Sequence, residues 1–400
     1  MPRHKRGNCQ YELPMTQRLL TTRPQSIPRR HALKCLASLG FAPVAALAQP
    51  NRNNPPTRNV LVAQIVDTSP AQQDVSKDFL IGSRAAWADI NAKGGLRGRV
   101  VQHVSLEVDG TPESLRNAVQ TLLDNPACLV LSGTAGDLMA SQVAALLRKQ
   151  PSAIAHVAPW LQNSDTDPDD RTFPIFAARQ EQIVHAFKSL STMGVQDVGA
   201  VYATPGDYTQ YHQDLQRVAA TLQLKLQTFR ANGDLASMGR SLKANTAAIL
   251  LFVGGTPELV QFTQGLERQQ RQRYIIALAD VNLQTMIQMG AGRNTPVIAT
   301  QAVPMVTSSM PVVRAYRDIM GRLYDEPPVS LSLAGFIAAR YTYEVLRDLD
   351  GPLTRQNALT AFQRHEARDL GGYLVSFNTQ GRSATYVTQT MLTQDGRVIG

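Results

Sequence analysis

Residues 59–157 alternate between two apolar patterns. Short, nearly continuous apolar runs, Asn59–Val66, Val100–Glu107, Ala127–Leu131 and Ala153–Val157, are rich in β-branched residues and read as strands covered on both faces. Between them, Asp74–Lys93, Pro112–Asp124 and Leu138–Lys149 carry apolar residues at helical spacing. A polar break, Ser164–Thr172, interrupts the series. It then restarts, with strands predicted at Asp197–Ala203, Lys225–Phe229, Ala247–Phe252, Tyr274–Leu278 and Val297–Thr300. The intervening helices are Gln180–Met193, Tyr208–Leu222, Leu235–Ala244, Pro257–Gln269 and Asn282–Met289. Three more helices, Pro311–Leu323, Ser330–Leu349 and Arg355–His365, precede strand-like runs at Tyr373–Phe377 and Thr385–Leu392.

Strand–helix alternation predicts parallel sheets with right-handed crossovers. Two such series separated by a polar break predict an α/β chain of two doubly wound parallel-sheet lobes, with the helical tail packing back on them.

The chain starts differently. Pro28-Arg-Arg-His-Ala-Leu-Lys34, a moderately apolar run from Cys35 to Leu47 and Ala46-Leu47-Ala48 form a basic, apolar and small-residue succession. That order describes a cleavable export signal over residues 1–48, with Met15 as an alternative start. The paired arginines resemble a twin-arginine signal, with Ala32 where a Phe is usual, so the general secretory route stays open. Gln49–Arg58 is a Pro/Asn-rich linker.

The leader changes the reading of charge. It holds eight of the 40 Lys and Arg and one of the 31 acids, so the remainder carries 32 bases against 30 acids. No whole-domain electrostatic case for nucleic acid remains. Cys9 and Cys35 lie in the leader and Cys128 in an apolar run, so the exported part has no internal disulfide and Cys128 reads as a core residue.

Motifs for chemistry are sparse. His103, His156, His185, His212 and His365 show no metal-ligand spacing, and His365-Glu366 lacks the second His of a zinc protease. Gly290-Ala-Gly-Arg-Asn-Thr295 lacks the third Gly of a dinucleotide fingerprint and follows a helix. In the acidic loop Asp165, Asp167, Asp169 and Asp170, Pro168 interrupts the run and Phe176 stands where calcium needs a bidentate Glu. No metal, cofactor or catalytic residue is therefore expected.

Loops at strand carboxyl ends stand out instead, because ligands of open α/β sheets bind there. Leu131-Ser-Gly-Thr-Ala-Gly-Asp137 joins a strand to a helix. Its small residues permit close approach, and free amides at the helix start favour an anion. The same loop reads equally well as a plain turn capped by Asp137, whose charge competes for those amides.

The helix ending Asp89-Ile-Asn-Ala-Lys-Gly-Gly-Leu-Arg-Gly-Arg99, placed after one strand and behind a leader, resembles the first helix of periplasmic binding proteins of the branched-chain-amino-acid type. These are the solute-catching subunits of ABC importers. The resemblance runs from about Asn59 to the end and implies a clamshell with three interlobe crossings. Lobe one would be residues 59–174 with 304–373, and lobe two 175–303 with 374–400.

It also implies a small-molecule solute, an inner-membrane ABC permease as partner, a periplasmic location, a monomer and no enzyme activity. The same clamshell coupled to a separate receptor would be a sensor. By residue matching, the solute's carboxylate falls to Gly133, Thr134, Ala135 and Gly136 and to Ala158, Pro159 and Trp160. Tyr208 and Thr256 contact it from lobe two, and Asp280 takes its ammonium. The chain departs from the pattern in the first loop, where Gly133-Thr-Ala-Gly-Asp137 replaces a serine-rich sequence, at Trp160, which is larger than usual, and at Thr256, which replaces an aromatic.

Overall fold

The structure, a computed structural model, describes residues 59–70, 72–162, 169–291, 294–379, 381–383, 386–393 and 395–400. The expected leader and linker, with Cys9, Cys35 and the paired arginines, lie outside the described residues, as do Asp165 and Asp167.

The first series forms β1 (Val60–Asp67), α1 (Gln73–Ala92), β2 (Val101–Val108), α2 (Pro112–Asp124), β3 (Cys128–Ser132), α3 (Asp137–Arg148), β4 (Ala155–Val157) and β5 (Thr172–Phe173). The strands make a parallel five-stranded sheet in the order β2-β1-β3-β4-β5. The second series forms α4 (Arg179–Thr192), β6 (Asp197–Tyr202), α5 (Pro205–Thr221), β7 (Lys225–Arg230), α6 (Leu235–Ser241), β8 (Ile249–Val253), α7 (Thr256–Leu266), β9 (Tyr274–Ala277), α8 (Leu283–Gln288) and β10 (Val297–Gln301).

Strands β7-β6-β8-β9-β10 repeat the order of the first sheet. Two antiparallel strands, β13 (Thr388–Leu392) and β14 (Val398–Ile399), extend that sheet to seven. Between β10 and β13 in sequence come α9 (Pro311–Leu323), α10 (Ser330–Arg347), α11 (Arg355–Gln363) and a small antiparallel pair, β11 (Arg368–Asp369) and β12 (Leu374–Val375).

The tail helices share one apolar core with the first sheet: Val62, Phe79 and Val130 pack with Tyr316, Phe336 and Phe362. The tightest joint is α1 against α10. A Cβ built on Gly82 would stand 1.7 Å from the Ser332 carbonyl oxygen, and one on Gly335 1.9 Å from that of Phe79. Only glycine lets these two backbones approach so closely. The Gly-Gly turn after α1 behaves as its sequence suggests: Gly94 and Gly95 take φ of 102° and 70°, and the Gly95 amide bonds the Ile90 carbonyl.

Several details differ from the sequence reading: β11 and β14 are additional strands, α5 begins at Pro205 rather than Tyr208, and of the run Tyr373–Phe377 only Leu374–Val375 is a strand. Thr172–Phe173, at the end of the polar break, is a strand, because Phe173 buries against Phe362 and so binds the sheet edge to α11. Helix α6 stops at Ser241, short of the predicted Ala244. Cys128 is a core residue on β3, its thiol pushed up to about 11 by burial.

Candidate functional site

In each sheet the strand order reverses once, between β1 and β3 and between β6 and β8. The chain leaves β1 and β3 in opposite lateral directions, which opens a crevice at their carboxyl ends; the same holds for β6 and β8. A cavity of about 730 Å³ lies where the two crevices meet. Lobe one lines it with Pro70, Gln72, Asp74 and Val75 after β1, and with Asp137 and Leu138 after β3. Lobe two contributes Thr204–Tyr211 after β6 (Pro205 and Tyr208 excepted), Gly254–Glu258 after β8, and Asp280. A second cavity, of about 460 Å³, is lined by the segments after β9 and β10 and by residues 396–400, away from either switch point.

Four helices therefore begin at the main cavity, and each has an acid in its first turn: Asp74 on α1, Asp137 on α3, Asp207 on α5 and Glu258 on α7. Thr204 and Asp207 close a capping box, the Thr204 amide donating to Asp207 Oδ2 at 2.9 Å.

The floor is a buried polar network spanning both lobes. Arg179, the first residue of α4, is wholly buried. Its guanidinium pairs with Asp137 and lies 3.4 Å from the centre of the Tyr211 ring. Asp137 also accepts the Gln162 amide at 2.7 Å and the Gln210 side chain at 3.2 Å. Gln162 Nε2 donates to Asp280 Oδ1 at 2.7 Å, and the indole N–H of Trp160 donates to the same oxygen at 2.6 Å. Gln182 ties the network to the second sheet, donating to Gln162 and accepting from the Ala279 amide and the Thr300 hydroxyl. Burial pushes the Asp280 carboxyl up from its ordinary value, and the Trp160 hydrogen bond opposes this. A further cross-lobe bond runs from Asn282 Nδ2 to Asp78 Oδ2 at 2.7 Å.

Of the residues singled out from sequence, Thr256 and Asp280 line the cavity. Gly133, Thr134, Ala135, Gly136, Ala158, Pro159 and Trp160 are all buried beneath it. Gly133 sits beside Phe79, Gly136 beside the Gln72 side chain, and the loop after β4 is closed by Trp160. Its ring occupies the place of a small residue and packs on Phe79 and Phe176, with centroids 6.1 and 5.1 Å apart. Its amide bonds the Thr134 carbonyl at 2.8 Å, sealing one loop against the other. Ala158, at φ 49°, turns the chain so that this ring points to Asp280.

Thr134 spends its hydroxyl on His156, 2.9 Å away. Asp137 is the first helical residue, after Gly136 as cap, and pairs with Arg179. Tyr208 packs between Tyr202, His212 and Arg230, outside the cavity lining, whereas Tyr211 lines it. Asp280 is not the cap of α8; Asn282 is, accepting from the Gln284 and Thr285 amides.

Sequence reading missed Arg179, Gln162 and Gln182. The available signal was a lone guanidinium directly after Ile175-Phe-Ala-Ala178, an apolar run that buries whatever follows it.

Among the described residues, no group of three or more His, Cys, Asp or Glu could hold a metal ion. Nor is any described helix long and apolar enough to cross a membrane.

Known proteins place this architecture. The sequence profile of the periplasmic binding protein family matches residues 60–397, and the chain belongs to that family. Among solved structures it is similar to an extracellular ligand-binding receptor from Verminephrobacter eiseniae, at 19% identity and a TM-score of 0.78, over 86% of this chain and 100% of that one. It is similar to a branched-chain amino acid transporter substrate-binding protein from Streptococcus pneumoniae in complex with isoleucine, at 12% identity and 0.72, over 85% and 98%. A fatty acid ABC transporter substrate-binding protein from Thermomonospora curvata matches at 14% and 0.74, over 84% and 89%. No curated protein matches the sequence. At these identities the structures share the fold, with chains that bind solutes as different as isoleucine and fatty acid.

Proposed function

We propose that this protein is the extracytoplasmic solute-binding subunit of an ABC importer, which captures a small solute between its lobes and hands it to a membrane permease. The observation that carries this is the cavity at the meeting of two switch points, lined by four helix starts. Each lobe supplies part of the lining, so a solute touching both favours the closed state by the difference in its contacts. The similar solved structures bear names of transporter substrate-binding proteins, in line with this role.

The lobes we assign are residues 59–174 with 304–373, and 175–303 with 374–400. The shared core of α9–α11 with the first sheet and the pairing of β13 with β10 favour that division. Thr256 and Asp280 contact the solute; the loops 133–136 and 158–160 support the floor. Export depends on the leader through residue 48, cleaved before the mature, monomeric chain begins near Gln49.

The test is a thermal-shift screen of the mature protein over zwitterionic, anionic and cationic small molecules, followed by small-angle scattering of the hits. A cleft solute at a hundred times its Kd stabilises by about 2.7 kcal/mol. Binding should also change the fluorescence of Trp160, which touches the floor carboxylate, and Trp160→Phe should remove that response. No stabilising small molecule in any charge class would overturn the proposal.

A further inference from the structure

Resting on that reading, the charge of the cleft narrows the solute. Five carboxylates line the cavity, those of Asp74, Asp137, Asp207, Glu258 and Asp280, and no Lys, Arg or His does. Acids in a helix's first turn ordinarily just offset its dipole, so the balance decides. A helix start is worth about half a positive charge, so four give about +2; with Arg179 counted at +1, the five carboxylates leave about −2.

Asp137 is the acid paired with Arg179. Among the described residues, Asp74, Asp207, Glu258 and Asp280 form no ion pair. Both hydrogen bonds of the half-buried Asp280 go to Oδ1, which leaves Oδ2 facing the cavity without a hydrogen-bond partner among the described residues.

An amino acid also needs a home for its carboxylate. The loop that would supply it is buried, with Phe79 beside Gly133 and Gln72 beside Gly136, and Asp137 already stands at the start of α3. The carboxylates are too dispersed for one metal ion. The walls between them, Val75, Leu138, Tyr211 and Pro257, suit a hydrocarbon body.

We infer that the solute is an organic cation without a required carboxylate: an ammonium or guanidinium group seated on Asp280, an aliphatic or aromatic body along the apolar wall, and any second cationic group toward Asp207 and Glu258. Fatty acids and simple zwitterionic amino acids are excluded by charge.

Calorimetric titration with matched pairs tests this: arginine against agmatine, lysine against cadaverine, leucine against 3-methylbutylamine, with octanoate as the anion. Each amine should bind at least tenfold tighter than its carboxylated partner, and octanoate should not bind. Asp280→Asn retains the oxygen that Trp160 and Gln162 bond, and should weaken the best amine about ten- to a hundredfold. Glu258→Gln, a rim change outside the network, should weaken a diamine more than a monoamine.

Tighter binding of leucine, or of octanoate, than of any amine would overturn the inference while leaving solute binding intact. Equal binding within the pairs would also overturn it. Binding of none of the probes, together with a blank thermal-shift screen, would overturn both readings.

Discussion

Asp137→Ala removes the counter-ion of a guanidinium whose side chain is completely buried. Arginine cannot shed its proton, so the charge stays. Its other partners, the Gln210 carbonyl at 3.3 Å and the Tyr211 ring, do not neutralise it. Breaking a buried pair from one side costs about 3–5 kcal/mol, a large part of the 5–15 kcal/mol that holds a typical protein folded. The Gln162 amide and Gln210 side chain also lose their acceptor, so the upper half of the range applies.

Arg179→Met keeps the bulk and removes the charge. It should cost a comparable amount, because Asp137 then stands buried with amide donors only. The double variant leaves no buried charge, so it should lose at least 2 kcal/mol less than the two singles added together. Urea unfolding at pH 7.5, followed by circular dichroism, gives the three values. Formate, which fits the space of the lost carboxylate, should restore Asp137→Ala and leave Arg179→Met unchanged. A loss below about 1 kcal/mol in Asp137→Ala, or strict additivity in the double variant, would refute the claim that this pair fastens the cleft floor.

Two further outcomes follow from the packing. Gly335→Ala would ordinarily gain about 1 kcal/mol of helix propensity, but its new methyl meets the Phe79 carbonyl, so a net loss of roughly 1–3 kcal/mol is expected in the same unfolding assay; any gain would contradict the close α1–α10 crossing. His156 is wholly buried, and burial lowers its pKa from 6.5 to about 4 against a weak opposing pull from Asp169. Its contribution is complete above pH 6.5 and lost as the pH falls toward 4, because the unfolded chain takes up the proton first. Between pH 7.5 and 5 this one group should remove about 2 kcal/mol, and His156→Gln should flatten the pH profile by that amount; an unchanged profile would show that the imidazole is not held neutral.

The alternation of apolar runs was enough to specify two doubly wound lobes, because a strand covered on both faces and a helix covered on one have different periods that survive in the bare sequence. It also located the loops at the strand ends. Gly94-Gly95, Cys128 and the core helices of the tail were legible for the same local reason: backbone conformation and burial there follow from neighbours in the chain.

The site was legible only in outline. Asp280 and Thr256 could be placed at the cavity by residue matching to the family, and Asp280 also from its position just after a strand. Whether Gly133–Gly136 faces a solute or is buried depends on Phe79, Gln72 and Trp160, which sit far apart in sequence and meet only in the folded lobe. Asp137 looked like a helix cap until Arg179, 42 residues away, supplied its counter-ion. Pairing of buried charges is a long-range event with no periodic trace in sequence, so only the tertiary structure could decide which carboxylates of the cleft are already satisfied and which remain to receive a cation.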